Sequence, residues 1–78
     1  MSCNGWKNRE TWNVALWIGN DEGLYRAAKE FMGTYKGRSP YREFVSYACL
    51  EGKKTGDGVR WLDAKLAMSE LNNMMREL

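Results

Sequence analysis

The chain has no histidine. The commonest general base and the commonest nitrogen ligand for a metal are therefore both missing. Its two cysteines, Cys3 and Cys49, are too far apart for the usual zinc spacing, and a cysteine nucleophile would lack its imidazole partner. Carboxylates remain, but Glu10, Asp21, Glu22, Asp57 and Asp63 each have a simpler task at a helix cap or in a turn. The stretch Glu51-Gly52-Lys53-Lys54-Thr55-Gly56-Asp57-Gly58 has the glycines and lysines of a phosphate loop. It lacks their order, and no strand precedes it. The residues point to a protein that is not an enzyme and needs no cofactor or metal.

Binding chemistry is what remains. Four tryptophans and four tyrosines in 78 residues are more than a small core absorbs. Exposed aromatics beside arginines are typical of interface hot spots. The candidates are Trp6, Lys7, Arg9, Tyr35, Arg38, Tyr41 and Trp61. Trp6 has a plainer role open to it, folding back onto the core. Met68, Met74 and Met75 either make an adaptable contact or close the core. Nucleic acid is the rival partner: if Lys7, Arg9, Lys36, Arg38, Lys53, Lys54 and Arg60 converged, they would hold phosphates while nearby rings stacked on bases. A homodimer is a third reading.

These residues need a scaffold. The most apolar run, Thr11-Trp12-Asn13-Val14-Ala15-Leu16-Trp17-Ile18, is the expected centre of the fold. At period two, Trp12, Val14, Leu16 and Ile18 share a face, which suits a strand. At helical spacing the run is apolar on most sides, which suits a buried helix. Asn8 as a cap, Glu10 in the first turn and the absence of a partner strand favour a helix over about 9–18, ending at Gly19-Asn20. Asn20 is then the expected cap of a second helix carrying Leu24, Ala27, Ala28, Phe31 and Met32, stopped by Gly33. Ser39-Pro40 starts a third, with Tyr41, Phe44, Val45 and Ala48 on one stripe and an end near Leu50. In that stripe Cys49 reads as a buried thiol. After a glycine-rich loop, Val59, Trp61 and Leu62 return to the core. Asp63 or Ser69 then caps a last helix with Ala67, Leu71, Met74, Met75 and Leu78 aligned.

Residues 1–78 read as one domain: all-α and compact, with three to four short helices around Trp12, Leu16 and Trp17. A core this small supports on the order of 3–5 kcal/mol of stability. Twelve basic and ten acidic residues, net +2, are interspersed along the chain, the pattern of a solvated surface rather than a basic DNA-binding stripe. One cysteine pair is no disulfide framework. No apolar stretch approaches the roughly 18–20 residues that cross a bilayer. Asn4, Lys7, Asn8, Arg9 and Glu10 interrupt any signal-peptide pattern, so the cytoplasm is the expected location.

The run Asn8-Arg9-Glu10-Thr11-Trp12-Asn13-Val14-Ala15-Leu16-Trp17-Ile18, continuing as Asn20-Asp21-Glu22-Gly23-Leu24-Tyr25, resembles a family of small uncharacterised proteins of bacteriophages and bacterial plasmids. Trp61-Leu62-Asp63 and Glu70-Leu71 look similar in place. The resemblance carries no activity. It implies a small protein made in a bacterial host by a mobile element, and by association one that binds and modulates a host protein.

Overall fold

The computed structural model describes residues 5–78; Cys3 lies outside them. The first helix, α1, spans Arg9–Asn20. Asn8 precedes it with an extended backbone, and its Oδ1 accepts from the Thr11 N–H at 2.9 Å. Thr11, Val14, Ala15 and Ile18, at i, i+3, i+4 and i+7, form its buried stripe, with Val14 and Ile18 fully enclosed. Each of those two burials contributes roughly 1.5–3 kcal/mol.

This stripe corrects the expected centre: Trp12, Leu16 and Trp17 are only half-buried. Small and β-branched side chains let neighbouring backbone approach the helix. The wide indoles stand beside that line rather than in it.

Asp21 serves both neighbours of the first corner. Its N–H donates to the Trp17 carbonyl at the end of α1, and its Oδ1 accepts from the Leu24 N–H at 2.9 Å. Asp21, not Asn20, is therefore the cap of α2, Glu22–Thr34. Gly19 and Gly33 both stay inside their helices, since the chain can turn at the following residues without a left-handed glycine. Ala28 is the fully buried residue of α2, and Leu24, Ala27, Phe31 and Met32 pack against the core around it.

The helix α3 spans Pro40–Tyr47, with Pro40 in the first turn. Ser39 makes no side-chain cap. The Tyr41 N–H instead donates to Asn72 Oδ1 at 3.0 Å, so α3 is capped by a residue from the far end of the chain. Tyr41, Phe44 and Val45 are buried.

α3 stops before Leu50 because Cys49 turns left-handed, at φ +59°. That geometry lets the Leu50 N–H reach the Val45 carbonyl at 2.9 Å and the Cys49 N–H reach that of Ser46 at 3.1 Å. Cys49 is consequently exposed rather than a buried thiol. A side chain is strained in this conformation and glycine is not. Cys49→Gly is expected to raise stability by about 0.5–1 kcal/mol, read as a thermal midpoint a few degrees higher; an unchanged or lower midpoint would contradict the strain.

Residues 51–67 carry one short antiparallel contact, between Lys54 and Arg60. Thr55 N–H donates to the Val59 carbonyl at 2.7 Å and Trp61 N–H to that of Lys53 at 3.1 Å. Val59, Trp61 and Leu66 are buried, while Leu62 is half-buried. The last helix, α4, spans Met68–Arg76 and buries Leu71 and Met75. Asp63 closes a local turn through the Lys65 N–H, at 2.8 Å, and does not cap it. Nor does Ser69, since Ala67 holds the cap position without a side-chain bond. α2 and α4 each pack against the other three helices, whereas α1 and α3 do not meet.

Candidate functional site

Asn13 and Trp17 are one turn apart on α1 and grip the tip of the 54–60 hairpin. Asn13 Nδ2 donates to Asp57 Oδ2 at 2.8 Å, and Trp17 Nε1 donates to the same oxygen at 3.0 Å. The Thr55 hydroxyl donates to Asn13 Oδ1 at 2.7 Å and accepts from the Asp57 and Val59 N–H groups, each at 3.2 Å. Gly56 lies close to the six-membered ring of Trp17, where any Cβ would overlap ring carbons. The tip therefore needs glycine for space.

The bond from Asn13, then that from Trp17, holds the Asp57 carboxyl below the usual carboxylate range; Arg9 adds a smaller push the same way. A depressed value means the stabilisation is present above the unfolded-state value and is lost as pH falls through the folded one. Acidification is expected to weaken the bonds of Asp57 to Asn13 and Trp17 while the helices and the Thr55–Asn13 bond persist. The Trp17 indole N–H resonance would move only once the pH drops below the ordinary carboxylate range. An indole signal that stays constant well below that range would refute it.

A second clasp holds the other end of α1. The Thr11 hydroxyl donates to Asn8 Oδ1 at 2.6 Å and accepts from the Ala67 N–H at 2.9 Å. Asn8 Nδ2 donates to the Lys65 carbonyl at 2.7 Å, and the Lys7 N–H to Glu70 Oε1 at 2.9 Å. The polar residues Asn8, Thr11 and Asn13 of the distinctive N-terminal run are thus occupied internally.

Between the exposed Arg9 and Asn20 at its ends, α1 turns an apolar flank outward. Trp12 and Leu16 are half-buried yet stand outside the packed core cluster. Leu16 borders two grooves and Trp12 the second of them. One, of about 300 Å³, is bounded by Leu16, Trp17, Asn20, Asp21 and Asp57. The other, of about 320 Å³, is bounded chiefly by Trp6, Trp12, Leu16, Met74 and Leu78. Leu16 and Asn20 line both, so the grooves adjoin. Three of the four indoles surround this surface.

The residues expected to meet a partner are distributed unevenly. Trp6 is half-buried, packs on the core and lines the second groove; Lys7 and Arg9 are exposed near it in the chain. Tyr35 and Arg38 lie in the α2–α3 connection and line neither groove. Tyr35 stacks on Phe31, with ring centroids 4.9 Å apart, and the Arg38 carbonyl accepts from Arg76 Nη2 at 3.3 Å. Tyr41 and Trp61 are not surface residues at all. Tyr41 is fully enclosed and its hydroxyl donates to the Trp61 carbonyl at 2.5 Å, while Trp61 is 3% exposed. Burial pushes the Tyr41 phenol far above its ordinary range.

Trp12 and Leu16, expected at the centre of the core, border the grooves instead, while Trp17 packs against the core and also lines the first groove. The signal that finds them is the i, i+3, i+4, i+7 set of Thr11, Val14, Ala15 and Ile18, which leaves them on the flank. Of the basic residues, Lys53, Lys54 and Arg60 belong to the hairpin segment and Lys36 and Arg38 to the α2–α3 connection. Among the described residues no three His, Cys, Asp or Glu side chains are grouped as a metal site would require, and no helix is long and apolar enough to cross a membrane.

No curated protein and no solved structure matches the chain. A family model described as "Family of unknown function (DUF7249)" matches residues 1–78.

Proposed function

The chain belongs to this family of unknown function, and on that premise we propose that it is a non-catalytic protein that binds and modulates a protein of a bacterial host through the indole-lined face of α1. One observation carries the reading. Leu16 lines both adjoining grooves and Trp12 the second, each half-buried and off the core, while the polar residues Asn8, Thr11 and Asn13 are consumed by internal bonds. Tryptophan is the residue most enriched among hot spots, and grooves beside it admit the anchors of a partner. The likeness of residues 8–25 to proteins of bacteriophages and plasmids supports a host protein as the partner and the host cytoplasm as the place.

The test is capture from a nuclease-treated and an untreated bacterial lysate by the tagged chain, alongside Trp12→Ala and Leu16→Ala. Both variants should keep the fold, since neither side chain joins the core. The expected result is a nuclease-resistant protein partner whose affinity falls about 30-fold or more with Trp12→Ala, the effect of losing a hot spot worth roughly 2 kcal/mol. Loss of all capture after nuclease would assign the surface to nucleic acid. Concentration-dependent elution in sizing chromatography, abolished by Trp12→Ala, would assign it to a second copy.

A further inference from the structure

We infer that the groove between Leu16, Trp17 and the hairpin tip receives a lysine or arginine side chain from an otherwise apolar segment of the bound protein. The inference rests on the protein-binding reading above and specifies the chemistry of its partner.

The groove has two kinds of wall. Leu16 and the Trp17 ring supply apolar surface, and Asp57 and Asp21 place carboxylates at its margin. A basic side chain has the same division, an apolar stem with a charged head. An indole also favours a cation over a neutral group.

The carboxylates have unused capacity. Both internal bonds to Asp57 come from neutral donors and end on Oδ2, leaving Oδ1 with no hydrogen bond among the described residues. Asp21 uses Oδ1 to cap α2. The ion pairs among the described residues are Arg26 with Glu22 and Arg60 with Asp63, so neither groove carboxylate is in one.

Other occupants fit less well. A wholly apolar anchor would cover Asp57 Oδ1 without giving it a donor, which is unfavourable for an ionised oxygen. An anion would face two carboxylates, and the nearby amide of Leu24 at the start of α2 is already bonded to Asp21. A cation with an aliphatic stem satisfies both walls at once.

The experiment is selection of a random displayed-peptide library on the full chain, on Trp12→Ala, and on the double variant Asp57→Asn with Asp21→Asn. Asparagine retains an acceptor for Asn13 and Trp17 and is as good a helix cap as aspartate. Retained protection of the Val59 amide, whose acceptor Thr55 is held by Asn13, checks that the tip stays docked. Peptides selected by the parent chain should be enriched in Lys or Arg beside apolar residues. The double variant should lose that enrichment and bind a synthetic parent-selected peptide about tenfold more weakly, with less dependence on salt. Selected peptides that need Trp12 but show no basic preference, and bind the double variant equally well, would overturn the inference and leave the binding face standing. Selection that yields no Trp12-dependent peptide would overturn both.

Discussion

Phe44→Ala is expected to cost about 3–5 kcal/mol, comparable with the whole stability that a core of this size supports. Phe44 is fully enclosed on α3, with its ring centroid 5.8 Å from that of Phe31 on α2. Truncation removes the apolar transfer term and leaves a cavity where α2 and α3 meet, which neither helix can close without leaving α4. The variant should be largely unfolded at room temperature by circular dichroism. Tyr47→Ala is the control: its ring shares the same aromatic cluster but is 54% exposed. It should cost less than a third as much. Similar losses for the two variants would mean that the enclosed core does not run through Phe44.

Asn13→Ala is expected to cost about 2–3 kcal/mol. Asn13 is 1% exposed and Thr55 6%. Their hydrogen bond spans 42 positions of the chain and is the buried link between α1 and the hairpin. Alanine leaves the Thr55 hydroxyl without its acceptor in a site that water does not easily reach. It also frees Asp57 of its principal donor. Urea unfolding followed by tryptophan fluorescence should show a lower midpoint with the slope unchanged. Asn20→Ala, at the exposed end of α1, should stay within about 0.5 kcal/mol. A loss at Asn13 no greater than that at Asn20 would show the buried link to be dispensable.

The two variants probe different layers of the same problem. Phe44 lies on a stripe legible from spacing alone: Tyr41, Phe44 and Val45 recur at helical intervals after Ser39-Pro40, and all three are buried. Asn13 was legible as a member of an apolar run but not as its anchor. Nothing near residue 13 announces that Thr55 and Asp57 will lie against it. The caps divide in the same way. Asn8 bonds an amide three residues ahead, so local pattern suffices. At α3 the first free amide is taken by Asn72, and a local reading assigns it to Ser39 instead.

Amino-acid order alone determined that the chain is helical, where three of its four helices begin to within a residue or two, and which side-chain types are on hand for chemistry. Those properties follow from caps, helical periodicity and composition, which act over a few residues. Tertiary structure decided which side of α1 faces inward, so that Trp12 and Leu16 border a groove, and it also decided that Tyr41 and Trp61 are enclosed. An amphipathic period marks faces but does not rank two apolar ones. The packing of α2 and α4, together with the arrival of the 53–67 segment held by Asn8, Thr11, Asn13 and Trp17, selects between them.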